Sequence, residues 1–375
     1  MTTRKPDFII IGAMKSATST LHEQLALQPD FFMSTPKEPF YFSDDEVFSR
    51  GREWYLNLFS NAEPNQLCGE SSTHYTKLPD YPNTINRMKS ELPRIKLIYV
   101  LRDPVERLIS HYIHQWSQNV FRCDINEAID RYDELVNYSR YAYQIQPYID
   151  TYGRDNILFV FNEALRIRPQ AELERVAKFL GVEPNRVKWQ ENLCEQNVSS
   201  QRVRRFSGYK LLVDSSIMTF LRRSLIPKSF RTQVRGLLSM RKKPEIIPSK
   251  LIELNRIFDE DLVNLSKILG QEFQTATFKD NAIEWSREKI TQFWMPNRKL
   301  LKSIRDYDRH KQSGSAWSSL FKRLAVLRHR FWSVITSADI PLNGKLGGGL
   351  SIPHPNGILI HPLGVIDVNC LIHQQ

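Results

Sequence analysis

Residues 6–21 read PDFIIIGAMKSATSTL, and this stretch decides the fold. Within it, DFIIIGA (7–13) is a short apolar run that ends in a small-residue turn. Leu21, Leu25 and Ala26 then recur at helical spacing over residues 18–27, so the stretch reads as strand, loop, helix. A second unit of the same kind begins at Lys96. KLIYVLR is a β-rich run, Asp103-Pro104 marks the turn and helix start, and VERLISHYIHQW places Leu108, Tyr112 and Trp116 on one face. ILFVF (157–161) is a third apolar strand, followed by a helix from about Pro169 to Leu180 that Gly181 stops. Strands alternating with helices predict an α/β fold, a doubly wound parallel sheet covered on both faces.

Outward from these units the chain has 375 residues, more than one core usually accommodates, and reads as two domains, 1–279 and 280–375. Asn197 to Lys243 is rich in arginine and lysine, and SKLIELNRIFDEDLVNLSKILG forms an amphipathic helix ending at Gly270. Residues 280–335 carry tryptophans and arginines at helical spacing. From Ile340 the rhythm becomes six residues, through Ile340, Leu346, Ile352 and Ile358, then Ile360, Ile366 and Ile372 in a shifted phase, which suggests turns of a β-helix.

Composition bounds the partners. At 41% hydrophobic and 25% charged, with no apolar run of the ~18 residues a span needs, the chain predicts no transmembrane segment. The N-terminal apolar stretch is too short for a signal-peptide core, so a cytoplasmic location is expected. Cys68, Cys123, Cys194 and Cys370 lie far apart and offer no zinc site. The net charge of +11 points to anionic partners such as phosphorylated cofactors, acidic glycans, membranes or nucleic acid. Without zinc-finger spacing, an RNP-type aromatic motif or a basic zipper, nucleic acid has only charge in its favour and is not expected as a partner.

Two motifs converge on an anion. The loop Gly12 to Thr20 sits between a strand and a helix, where free N–H groups and the helix dipole attract negative charge, and Lys15, Ser16, Thr18, Ser19 and Thr20 add donors. It is not a Walker A loop, because no glycine stands beside Lys15. Arg102 ends a buried strand and Ser110 lies two turns into the next helix, so a forked guanidinium and a hydroxyl can meet one phosphate above the sheet's carboxyl edge.

PDFIIIGAMKSATSTL, KEPFYF (37–42) and LIYVLRDPVERLISHY together resemble the sulfotransferases that use 3′-phosphoadenosine-5′-phosphosulfate (PAPS), especially the glycan-directed group akin to heparan sulfate sulfotransferases. The resemblance covers residues 5 to 275. It implies that PAPS is the donor, that Lys15, Ser16, Ala17, Thr18, Ser19 and Thr20 bind its 5′-phosphosulfate, and that Lys15 contacts the bridging oxygen. Arg102 and Ser110 would hold the 3′-phosphate, and Glu38 would take the proton from a hydroxyl or amine of a carbohydrate-like acceptor. Lys37 would steady Glu38 or an anionic acceptor. Glu70 and His74, in CGESSTHY, are further candidates for the base, at a place where related enzymes sometimes carry a lysine. Tyr141 would line the cleft, and Ser200, Arg202 and Arg204 would sit in a basic loop over the donor. His111 and His114 read as packed or solvated.

The tail from Arg328 resembles the start of a serine O-acetyltransferase's left-handed β-helix, with Asp339 and His354 at the spacing of that family's catalytic pair. There a histidine acts as general base, oriented by the carboxylate. Residues 340–375 amount to only about two coils. The further coils that carry acetyl-CoA in that family are missing, so a truncated acetyltransferase fused to a sulfotransferase is the expectation. Pairing through the exposed solenoid edge would make an oligomer. A non-catalytic anion-binding protein is the remaining alternative.

Overall fold

In the computed structural model FIIIG becomes β1 (Phe8–Gly12), all five residues buried, as an unbroken apolar run requires when helices cover both faces of its sheet. The model describes residues 4–191, 243–282, 290, 292–311, 316–346, 350–366, 370 and 372. The chain divides into two units, Met1–Phe278 and Lys279–Gln375.

In the first unit β1 is followed by α1 (Thr18–Ala26), β2 (Phe31–Met33), the short helices α2 (Asp45–Phe48) and α3 (Gly51–Asn57), and β3 (Leu67–Ser71). A 3₁₀ turn (Thr73–Thr76) leads to α4 (Thr84–Glu91) and β4 (Lys96–Leu101). Then come α5 (Pro104–Ser117), α6 (Ile125–Arg131), α7 (Glu134–Asn137), α8 (Tyr141–Tyr152), β5 (Ile157–Phe161), α9 (Asn162–Ile167), α10 (Pro169–Leu180) and α11 (Pro248–Leu269). The five strands are parallel in the order β2-β3-β1-β4-β5, with Phe8 opposite both Gly69 and Lys96. Strand alternation sorts the core. Ile9, Ile11, Tyr99 and Leu101 face α8 and α11, whereas Phe8, Ile10, Ile98 and Val100 face Leu21 and Leu25 of α1 and Leu173, Val176 and Leu180 of α10.

The strand order reverses direction at β1. From β1 the chain crosses to β2 on one side, and from β4 it continues to β5 on the other. The crevice outside the carboxyl ends of β1 and β4 is therefore the switch point at which such sheets bind ligands. Helix stops follow the sequence: α10 and α11 end at Gly181 (φ 95°) and Gly270 (φ 67°), both left-handed.

In the second unit α12 (Pro296–Lys311) and α13 (Ala316–Thr336) pack side by side, joined by an Arg328–Asp306 ion pair at 2.7 Å. Ile340, Leu350, Ile352 and Ile358 are buried together with Leu300, Leu301 and Ile304 of α12. β6 (Lys345–Leu346) pairs in parallel with β7 (Val365–Ile366), and Asp339 bridges to Leu359 in the same sense.

Candidate functional site

The first motif leaves the sheet tied to its neighbour. The Ala13 N–H donates to the Val100 carbonyl at 2.8 Å, and the Thr76 hydroxyl donates to the Ile11 carbonyl at 2.9 Å. Gly12 has φ 153°, and a Cβ there would collide with Thr76 Oγ1, so the crossing needs glycine. Lys15 (φ 71°) and Ala17 (φ 70°) then turn the backbone left-handed. Ala17, the residue before α1, supplies no side-chain cap, and the first turn carries no acid. The Ser16 hydroxyl is buried and has no hydrogen-bond partner among the described residues. An uncapped helix N-terminus, a lysine and a partnerless hydroxyl in one loop fit a phosphate-type anion.

Arg102 follows β4 and reaches back across the crevice. Its Nη1 donates to the Lys15 carbonyl at 3.1 Å, and its Nη2 pairs with Glu106 at 3.4 Å. Neighbours fix its backbone on both sides. The Tyr141 hydroxyl donates to the Arg102 carbonyl at 2.6 Å and accepts the Arg102 N–H at 3.3 Å, while Asp103 N–H donates to Glu163 Oε1 at 2.9 Å. Asp103 caps α5 through the Glu106 N–H, with Pro104 in the first turn. Ser110, two turns further, is buried on that helix.

The third expected group, Glu38, lies between β2 and α2. KEPFYF forms no strand; Glu38 (φ 59°) and Phe40 (φ 58°) fold the segment back on the end of β3. The Glu38 N–H donates to the Ser71 carbonyl at 2.9 Å. Its Oε1 takes Lys37 Nζ at 2.8 Å and its Oε2 takes the Thr73 hydroxyl at 3.3 Å. Because β3, β1 and β4 are adjacent, Glu38 above β3, the Lys15 loop after β1 and Arg102 after β4 share one sheet edge.

Several expectations resolve differently. Tyr141 does not line the cleft: it is fully buried, and its ring packs against Tyr99 while its hydroxyl holds Arg102. Glu70 is fully buried and accepts the hydroxyls of Tyr55, Tyr75 and Ser72; burial pushes its carboxyl up. It ties β3 to its covering elements rather than facing an acceptor. His74 is stacked between Phe40 (3.9 Å) and Tyr81 (4.6 Å), and burial, then the Lys77 charge, push it down to about 3. His111 is buried and His114 half-buried. Ser200, Arg202 and Arg204 lie outside the described residues. Asp339 and His354 are both exposed and make neither hydrogen bond nor ion pair with each other.

Sequence reasoning missed other members. His22, on α1, sets its Nδ1 2.8 Å from the Ser71 hydroxyl, and burial followed by the Lys37 charge pushes it down to about 4. Its place one turn beyond Thr18 is the signal that could have found it. Thr73 was read only as part of CGESSTHY; its contact with Glu38 follows from a fold-back that no local pattern encodes.

A family model described as "Sulfotransferase domain" matches residues 5–218, more than half of the chain. The mouse heparan sulfate glucosamine 3-O-sulfotransferase 3B1 is 32% identical over 186 residues, 47% of this chain and 46% of that one. The human bifunctional heparan sulfate N-deacetylase/N-sulfotransferase 2 is 28% identical over 202 residues, 48% of this chain and 22% of that one. The chain thus spans about half or less of the curated relatives it matches. A solved sulfotransferase from Alicyclobacillus acidocaldarius shares the fold, with a TM-score of 0.52 at 22% identity, covering 72% of this chain and 98% of that one.

Proposed function

Because the chain belongs to the sulfotransferase domain family, we propose that it transfers a sulfuryl group from PAPS to a hydroxyl or amine of a carbohydrate-like acceptor. The observation that carries the reading is the 3.1 Å bond from Arg102 to the Lys15 carbonyl, which joins the two anion motifs across the switch point. PAPS supplies an activated sulfuryl group on a phosphate leaving group. Lys15, with the loop through Thr20, offsets negative charge where that phosphate leaves. Arg102 and Ser110 grip the 3′-phosphate and fix the donor in line. Glu38 accepts the proton as the acceptor oxygen or nitrogen bonds to sulfur and the sulfur to phosphate-oxygen bond breaks. Lys37 and Thr73 aim that carboxylate.

The glycan class of acceptor is supported by likeness to the heparan sulfate enzymes. Incubation of the purified chain with sulfur-35 PAPS and a panel of hydroxyl- and amine-bearing oligosaccharides tests it. Labelled product that disappears with Lys15→Ala and with Glu38→Gln is expected. Labelling that survives both substitutions contradicts the assignment. No acetyl transfer is proposed for the tail.

A further inference from the structure

Beside the clamp, three basic side chains stand outside the donor and acceptor roles. Arg107 is fully buried on α5. Its Nε donates to the Ser139 hydroxyl at 2.5 Å and its Nη2 to the Leu135 carbonyl at 2.7 Å, but Nη1 has no partner among the described residues. His111, one helical turn on along the same face, is 1% exposed and stacks on Tyr138 with centroids 5.6 Å apart. Its Nδ1 is also without a partner among the described residues. Lys77, 9% exposed, sets its ammonium over the same Tyr138 ring at 5.6 Å. The Tyr138 hydroxyl is already engaged by Asp80.

Among the described residues no carboxylate pairs with Arg107, His111 or Lys77, although Glu38, Asp80 and Glu134 are close enough for their charge to act on Lys77. A buried cation without a bonded counter-charge is costly, and two orphaned ring and guanidinium nitrogens add to that cost. Such groups in a folded protein are explained by a water or an ion. Every atom left unsatisfied here is a nitrogen able to donate. Water relieves a lost hydrogen bond but does not neutralise charge, whereas an anion does both.

We propose that a small monovalent anion of the halide class, such as chloride, binds among Lys77, Arg107 and His111. Lys77 Nζ and Arg107 Nη1 are its principal donors, and His111 adds a third in its Nδ1-protonated tautomer. Burial presses Lys77 down to about 8 and Arg107 to about 10, as expected of cations enclosed without a bonded acid. A tetrahedral oxyanion fits less well, because Nε and Nη2 of Arg107 already serve Ser139 and Leu135. The site is separate from the sulfuryl-transfer assignment and stands or falls without it.

Anomalous diffraction at the bromine edge, from crystals of the full chain soaked in sodium bromide, tests the site. A peak within hydrogen-bonding reach of Lys77 Nζ or Arg107 Nη1 is expected. In solution the Tm should rise by a few degrees as chloride replaces gluconate at constant ionic strength, by mass action on the folded state. That rise should vanish in Lys77→Met, a variant chosen because Arg107→Met also breaks two structural bonds. Bromide found only on the surface, or a chloride response that Lys77→Met retains, overturns the proposal. Water-like density at the site with a chloride-independent Tm also overturns it.

Discussion

Acidification should unfasten the acceptor side of the site through His22. Its ring is 7% exposed, sits 2.8 Å from Ser71 Oγ, and is pushed from 6.5 to about 4 by burial first and the Lys37 charge second. Between those values the unfolded chain takes up a proton that the folded ring refuses. The stability contributed by the neutral ring is therefore fully present above pH 6.5 and is lost as pH falls toward 4. At about 1.4 kcal/mol per pH unit, that window amounts to roughly 3 kcal/mol. Urea unfolding of wild type and His22→Asn at steps from neutral pH down to pH 4 measures it. Asn keeps a polar group near Ser71 and does not titrate. Carboxylates, His74 and His111 act alike in both proteins, so the gap in unfolding free energy between the two should change by about that amount across the window. Parallel curves would refute the reasoning.

Three other outcomes follow from the geometry. Glu38→Gln should lower turnover by about 10²–10⁴-fold while leaving nucleotide affinity within a factor of two or so, because only the proton acceptor is lost; steady-state kinetics beside calorimetry separates the two. Tyr141→Phe removes the hydroxyl that serves both the N–H and the carbonyl of Arg102, and should cost about 1–3 kcal/mol in unfolding free energy and also weaken nucleotide binding. Unchanged nucleotide affinity would show that Tyr141 acts on stability alone. Gly69→Ala would drive a Cβ into the Phe8 ring and to 2.6 Å from Met33 Sδ, and should lower stability by about 1–3 kcal/mol in thermal melts, with parallel losses of soluble yield.

The fold was legible where local signals agree. FIIIG, KLIYVL and ILFVF are apolar runs of strand length, and Pro104, Pro169, Gly181 and Gly270 punctuate helices where φ demands them. The positions of the Lys15 loop and of Arg102 and Ser110 were legible for the same reason, since each lies at or just past the junction of a strand and a helix. KEPFYF was not, because two left-handed residues bend it toward Ser71 and Ser72, contacts made 32 and more residues away in sequence. Tyr141 carried the right location and the wrong role: a tyrosine at a helix start looks the same whether its hydroxyl faces a ligand or a neighbouring carbonyl. Arg107 is wrapped by Leu135 of α7 and by Ser139 just beyond it, which no periodicity on α5 reveals. The six-residue rhythm of Ile340, Ile352 and Ile358 gathers those side chains into one cluster.

Calorimetric titration of the purified chain with 3′-phosphoadenosine 5′-phosphate, the desulfated donor, tests the central claim without knowledge of the acceptor. Acetyl-CoA serves as the parallel ligand. Micromolar binding of the nucleotide by wild type, at least tenfold weaker binding by Arg102→Ala, and no heat with acetyl-CoA are expected. Acetyl-CoA binding with no nucleotide binding, or nucleotide affinity indifferent to Arg102, would contradict the claim.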